Sequence, residues 1–237
     1  MADAPTTKRA RARAAMTADI KRIARSHLAE HGADGLSLRA VARDLGVVSS
    51  AVYRYVASRD ELLTLLIIDA YDAVGEAAER AAADGRGGAE ARWVRTCGAV
   101  RAWAVAHPHD YALVYGSPVP GYAAPADTVD PALRVTRAAI SVVAAAWEAG
   151  EIDLGAPADI PTVVRDDLEA MRAAFAVELP AEVVARALLA WTGTFGHLSW
   201  ELFGHLHGGV TDYDAFFEVQ AHSWWQLIAR GPGAAPC

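Results

Sequence analysis

The 237-residue sequence has only two cysteines, Cys97 and Cys237, and the second is its last residue. Thiols so few and so placed exclude a disulfide-stapled scaffold and point to a reducing compartment, the cytoplasm. Long apolar runs are missing too. The first thirty residues hold no signal-type apolar stretch, and the apolar-rich run from Ala187 to Trp200 has 14 residues broken by Thr, Gly and His. Spanning a bilayer takes about 20 apolar residues, so no membrane partner is expected. Strand-type alternation is absent, which excludes β-rich folds and a Gly-rich phosphate loop of the kind that follows a strand. Basic groups are in deficit, 22 Lys+Arg against 29 Asp+Glu, and a net charge of −7 would by itself argue against nucleic acid. What the chain does have is hydrophobic side chains, 53% of the total, enough for a substantial core and too many for a disordered polymer.

The charge is unevenly distributed. Residues 1 to 59 carry eleven Lys and Arg against five Asp and Glu, which leaves 11 basic and 24 acidic groups for the rest. A basic quarter on an acidic remainder implies modules with different partners. Helical periodicity runs through both. Residues 1–15 read as a flexible basic arm. Met16, Ile20, Ile23, Ala24 and Leu28 share one face of a first helix, from about Thr17 to His31. Ser37 can cap a second helix in which Leu38, Val41, Ala42 and Leu45 line one side, and Gly46 ends it. A third helix spans about Ser49 to Tyr55. Ser58 and Glu61 have capping-box spacing and open a fourth. Six more are expected near Glu90–Ala106, Pro108–Tyr115, Pro131–Ala149, Pro161–Ala176, Ala181–Leu206 and Asp214–Ala229. Asp130-Pro131 signals a start and Gly150 a stop. The expectation is an all-α protein with an arm (1–15), an N-terminal module (16–60), a larger helical domain (61–230) and a flexible tail (231–237).

Two short helices joined by a three-residue turn with glycine match the helix-turn-helix unit, whose second helix enters the major groove of DNA. Ser49 and Ser50 would then face base edges. Tyr53, Arg54 and Tyr55 would flank the groove within reach of phosphates, while Val52 and Val56 face the core. Ser37, at the start of the second helix, is a further phosphate anchor, and Arg39 adds a positive group. Arg9, Arg11 and Arg13 of the arm can reach an adjacent minor groove.

The run from Leu36 to Leu63, with its turn glycine Gly46, its recognition-helix tyrosine Tyr53 and the Asp60-Glu61-Leu62 start of the next helix, closely resembles the DNA-binding domain of the tetracycline-repressor (TetR) family. With the preceding helix, the likeness covers about residues 16–65. Three positions depart from the family pattern: Tyr55-Val56 stands for His-Phe, Arg59 for Lys, and Val48 for a Ser or Thr cap. Tyr55 and Arg59 keep the capacity for phosphate contact, and the recognition helix is expected to begin on Ser49.

The resemblance implies that the remainder is an effector-binding and dimerisation domain. The segments Trp191 to Gly204 and His107 to Tyr115 are similar to C-terminal domains of one subgroup of that family. The helix from Ala181 and the last helix are each too apolar for a single packing face, so a homodimer through a four-helix bundle is expected, with Phe195, Leu198, Leu202, Phe217, Trp224 and Ile228 at the interface. Trp103, His107, Tyr111, Tyr115, Trp147, Phe175, Trp191 and His197 combine apolar walls with polar tips, as a ligand pocket requires. No cofactor, metal or enzymatic activity is expected. The paired histidines His107/His109 and His205/His207 fall on different helix faces, and no Cys or carboxylate completes a zinc site. The resulting expectation is a ligand-responsive regulator, a repressor released from a palindromic operator by a small apolar or aromatic effector. The alternatives are an activator, or a small-molecule binder of the same fold without operator binding.

Overall fold

The computed structural model describes residues 7–155 and 160–231. The described residues are helical, with no strand. Ten α-helices follow one another: α1 (Lys8–His31), α2 (Leu38–Asp44), α3 (Ser49–Val52), α4 (Arg59–Ala83), α5 (Ala89–Ala106), α6 (Pro108–Tyr115), α7 (Val129–Glu148), α8 (Thr162–Phe175), α9 (Ala181–Leu202) and α10 (Tyr213–Arg230). Among the described residues, no helix is long and apolar enough to cross a membrane.

Two compact units emerge. The first takes in the chain up to Ala70 together with His107–Val129, and the second holds Tyr71–Ala106 and the chain from Asp130 onward. The division therefore differs from the boundary read at residue 60. Roughly the first three turns of α4, and all of α6 with the loop after it, belong with the N-terminal helices. Their apolar side chains explain why: Leu62, Leu63 and Leu66 are in the core of the first unit, and Leu113, Val119 and Tyr122 pack against it.

That core joins α1 (Ile20, Ala24, Leu28), α2 (Leu38, Val41, Ala42) and α3 with its following turn (Val52, Val56). In the second unit α10 packs on α9 and α5, and α8 packs on α9. Trp93, Cys97, Val100 and Ala104 form the buried stripe of α5, at the steps that keep side chains on one helical face. Thr194 and Leu198 on α9, and Phe217, Ala221, Trp225 and Ile228 on α10, are buried as well.

Several sequence expectations change. The basic stretch expected as a flexible arm is helical from Lys8, because an alanine- and arginine-rich run has high helix propensity and the Thr7 hydroxyl accepts the Ala10 N–H at 3.2 Å. Residues 1–6 and 232–237 of the expected arm and tail lie outside the described residues. The third helix is one turn long, with Tyr53 already its C-cap. The seventh begins at Val129, so Asp130 sits in its first turn and pairs with Arg137 at 3.2 Å instead of capping. The ninth ends at Leu202, with Gly204 and Gly208 at positive φ in the turn that follows.

The six residues expected at a subunit interface are corrected in part. Leu198 and Ile228 are fully buried and Phe217 is nearly so, all inside their own chain, because that side of each helix packs where α5, α9 and α10 meet. Trp224 closes over Gly193, whose missing side chain makes room for the indole. Phe195 stacks edge-on against Trp191, with ring centroids 5.2 Å apart. Leu202 is half-buried. The apolar groups left exposed on these helices are instead Leu189, Trp200, Phe216 and Val219, with Phe203 just past the end of α9.

Candidate nucleic-acid interface

The turn between α2 and α3 is held by a glycine in a left-handed conformation. Gly46 has φ +69°; its N–H donates to the Arg43 carbonyl and the Val47 N–H to the Ala42 carbonyl, both at 3.0 Å. These are the two bonds of a Schellman motif, and they satisfy carbonyls that the end of α2 would leave open. The sharp stop lets Val47 return toward the core, so that α3 begins two residues later on Ser49, with Val52 and Val56 plugged into the first unit.

With that side of α3 buried, the opposite side must face outward. Ser50, Tyr53 and Arg54 are exposed, Ser49 and Tyr55 half-buried, and Val48 stands out at 71% exposure. Arg39 is exposed on α2. Ser37 occupies the N-cap of α2 but makes no side-chain capping bond there. Arg9 and Arg11 are exposed on the first turns of α1.

Two arginines have partners that the sequence did not disclose. The Arg13 guanidinium lies over the Tyr55 ring, 5.3 Å from its centroid, and its Nη1 donates to the Arg54 carbonyl at 3.5 Å. The start of α1 is thereby pinned beside the end of the recognition segment. Arg59 donates to the Ala33 carbonyl at 2.9 Å and lies within 4 Å of Asp34 and Asp60. Its charge is committed to holding the start of α4 against the Ala33–Gly35 turn, a structural clamp in place of the phosphate contact expected of it.

Further polar ties fix the frame behind α3. Lys21 and Arg25, one turn apart on α1, both bind Asp69 of α4, at 2.7 and 2.8 Å. Arg25 also approaches Asp110 of α6 at 3.6 Å. Burial pushes the Asp110 carboxyl above its usual range, against the pull of the Arg25 charge. His27, itself buried, meets Asp44 at 2.7 Å and joins α1 to α2; this hydrogen bond draws the Asp44 carboxyl below its ordinary value. The i, i+4 spacing of Lys21 and Arg25 was the one legible signal. Their carboxylate partners lie more than forty residues away.

The eight residues expected to line a ligand pocket are divided between the two units, three in the first and five in the second. His107, Tyr111 and Tyr115 belong to the first unit, where Tyr111 is buried and its ring lies 5.2 Å from that of Tyr115, while His107 is exposed. In the second unit Trp191 donates to the Thr136 hydroxyl at 3.1 Å and packs on Trp93 and Phe195. His197 faces other rings, Phe216, Phe217 and Trp224, and burial pushes its imidazole toward the neutral form. Trp103 is buried, and Trp147 and Phe175 are half-buried at the ends of α7 and α8. Cys97, enclosed beside Thr194, has its thiol pushed up to about 12 by burial, so it stays protonated and inert at neutral pH.

Two family models match the chain. The one described as bacterial regulatory proteins, tetR family, covers residues 22–66, and the one described as tetracyclin repressor-like, C-terminal domain, covers residues 93–223. The HTH-type transcriptional regulator Rv1816 of Mycobacterium tuberculosis is 43% identical over 230 residues, covering 94% of this chain and 96% of the relative. The HTH-type transcriptional regulator Mb1846 of Mycobacterium bovis matches to the same extent. The crystal structure of the protein SCO4313 superposes with a TM-score of 0.75 at 34% identity, covering 92% of this chain and 98% of that one. A protein of unknown function from Rhodococcus sp. RHA1 gives a TM-score of 0.68 at 27% identity, covering 90% and 95%. The curated relatives are regulators of transcription, not enzymes.

Proposed function

The chain belongs to the tetracycline-repressor family of DNA-binding transcriptional regulators, and from that premise we propose that it is a homodimeric repressor released from a palindromic operator by a small effector. The observation that carries the reading is the outward surface of the helix-turn-helix. Ser49 and Ser50 are read as facing base edges, with Tyr53, Arg54, Tyr55, Ser37 and Arg39 on the flanking phosphates. Arg9, Arg11 and Arg13 lie on a helical start of α1, which favours phosphate contacts over a flexible entry into the minor groove. Arg59 leaves this set, since its guanidinium is already engaged by Ala33.

The homodimer reading is supported by the exposed apolar groups Leu189, Trp200, Phe203, Phe216 and Val219. Along α9 and its C-cap, Leu189, Gly196, Trp200 and Phe203 recur at steps of seven, four and three, which is one face, and Gly196 leaves open space for a close neighbour. Burying each large side chain would contribute about 1.5–3 kcal/mol before the losses of association. An apolar or aromatic effector is favoured by the interior of the second unit, where Trp93, Trp103 and Trp191 are buried. We assign the effector contacts to Trp103, Trp147, Phe175, Trp191 and His197 of that unit.

Selection of bound fragments from a genomic DNA library tests the reading. It should enrich a salt-sensitive palindrome overlapping a promoter. A site upstream of the promoter would make the protein an activator, and failure to enrich any sequence would overturn operator binding. Leu189→Asp combined with Val219→Asp should halve the mass seen by light scattering, and an unchanged mass would overturn the assigned dimer face.

A further inference from the structure

At 71% exposure, Val48 is the most exposed large hydrophobic side chain among the described residues. It does not dangle. Its backbone is extended at the N-cap of α3, its carbonyl accepts the Ala51 N–H at 2.9 Å, and the residue before it is tied down by the Val47 bond to Ala42. Branching at Cβ restricts the side chain further. The position would suit a residue able to accept a first-turn N–H, such as Ser or Thr, and valine makes no such bond. The chain therefore forgoes a cap and holds a stiff apolar group in water, and neither is compensated by packing within the first unit.

Compensation is available on DNA. Val48 lies two residues before exposed Ser50 and at the edge of the surface assigned above to the major groove. Hydrogen-bond donors and acceptors fill the major-groove edges of the bases, and the apolar group there is the C5-methyl of thymine. We propose that Val48 is a specificity-determining residue that packs on a pyrimidine C5-methyl, thymine in unmodified DNA, at one position of each half-site. The proposal rests on α3 being the groove-entering helix and adds to that reading the base class that Val48 selects.

The test uses the full chain and duplexes it enriches from a random pool. Each thymine is replaced in turn by deoxyuridine, which removes the methyl and nothing else. Binding should weaken about fourfold at one position per half-site, the factor expected when one methyl's burial is lost. Val48→Ala should bind the thymine duplex more weakly by a similar factor and be indifferent to deoxyuridine at that position, while keeping the native sensitivity elsewhere. Placing 5-methylcytosine at the same position should restore more of the binding than cytosine does. A native protein indifferent to every deoxyuridine, or a Val48→Ala profile identical to the native one, would overturn the proposal and leave operator binding intact. Failure to enrich any duplex would instead remove the reading on which it rests. Because Val48 is exposed, the variant should match the native helical content, and a loss of helix would assign the residue to folding and overturn its role in specificity.

Discussion

Substituting Gly46 by alanine isolates the backbone geometry that aims the recognition helix. An added Cβ would meet no atom within 4 Å, so packing contributes nothing and the effect comes from the φ of +69°. An L-residue in the left-handed region costs about 1–2 kcal/mol, and the stiffer unfolded chain offsets about 0.4–1 kcal/mol of that. The net loss is about 1 kcal/mol. The chain contains the reciprocal case: at the end of α8, Ala176 occupies the same kind of site with φ 53°, its N–H and that of Val177 donating to Ala173 and Arg172. Ala176→Gly should therefore stabilise the second unit by a similar or smaller amount. All seven tryptophans lie at Trp93 or later, in the second unit, so none reports locally on the turn at Gly46. Amide exchange in peptides spanning residues 38–56 reads it directly, and protection there should fall about fivefold, the factor equivalent to 1 kcal/mol. Operator affinity should fall with it. Undiminished protection in Gly46→Ala would refute the argument that the left-handed turn sets the position of α3.

Arg13→Ala should weaken operator binding and make its salt dependence shallower by about one unit of log–log slope, since one phosphate-neutralising charge is lost. Arg13→Lys should keep the slope but lose the stack on Tyr55, and anisotropy titrations across salt concentrations separate the two; an unaltered slope in Arg13→Ala would assign the residue to packing alone. In the second unit, Arg101 binds Glu201 through two bonds of 2.8 and 2.7 Å with both side chains largely buried, and Asp214 lies at 2.7 Å. Glu201→Ala should cost about 3 kcal/mol, the lower end for breaking a buried pair because Asp214 still faces the guanidinium, whereas Arg101→Met with Glu201→Leu should be nearly neutral; urea unfolding followed by tryptophan fluorescence decides. Asp110 carries a pH prediction. Its folded carboxyl titrates above the unfolded value, so the folded state holds the extra proton, and its contribution to stability should fall as pH rises from about 3.8 through the raised value. Asp110→Asn should remove that acid-side dependence, and identical pH profiles for both proteins would show that the burial of Asp110 is not felt.

Local signals in the sequence were the accurate ones. The capping box was legible from Ser58 and Glu61, and the Ser58 hydroxyl does accept the Glu61 N–H at 3.0 Å. The Glu61 carboxylate reaches one residue further back than the motif implies, to the Ala57 N–H at 2.5 Å. Gly46 and Gly150 stop their helices through bonds that span five residues or fewer. Misreadings came where a local signal had two outcomes. A basic, alanine-rich start could be an arm or a helix, and helix propensity decided for the helix. The all-round apolar character of α9 said that every side must be covered but not by what. Leu198 turned out to face its own chain and Leu189 to stay exposed.

Composition, periodicity and turn chemistry determined that the chain is helical, where the helix-turn-helix lies and which α3 residues face outward. Those properties depend on bonds and side-chain spacing within one or two turns, and the sequence carries them directly. Tertiary structure decided which charges are free and which are committed. Arg59 is committed to Ala33, 26 positions away, whereas Arg13 is positioned by Arg54 and Tyr55, about forty positions away, with no carboxylate to neutralise its charge among these partners. It also decided that α6 packs with the N-terminal helices. Such pairings are chosen by the packing of whole helices, in which separation along the chain carries almost no information about distance in space.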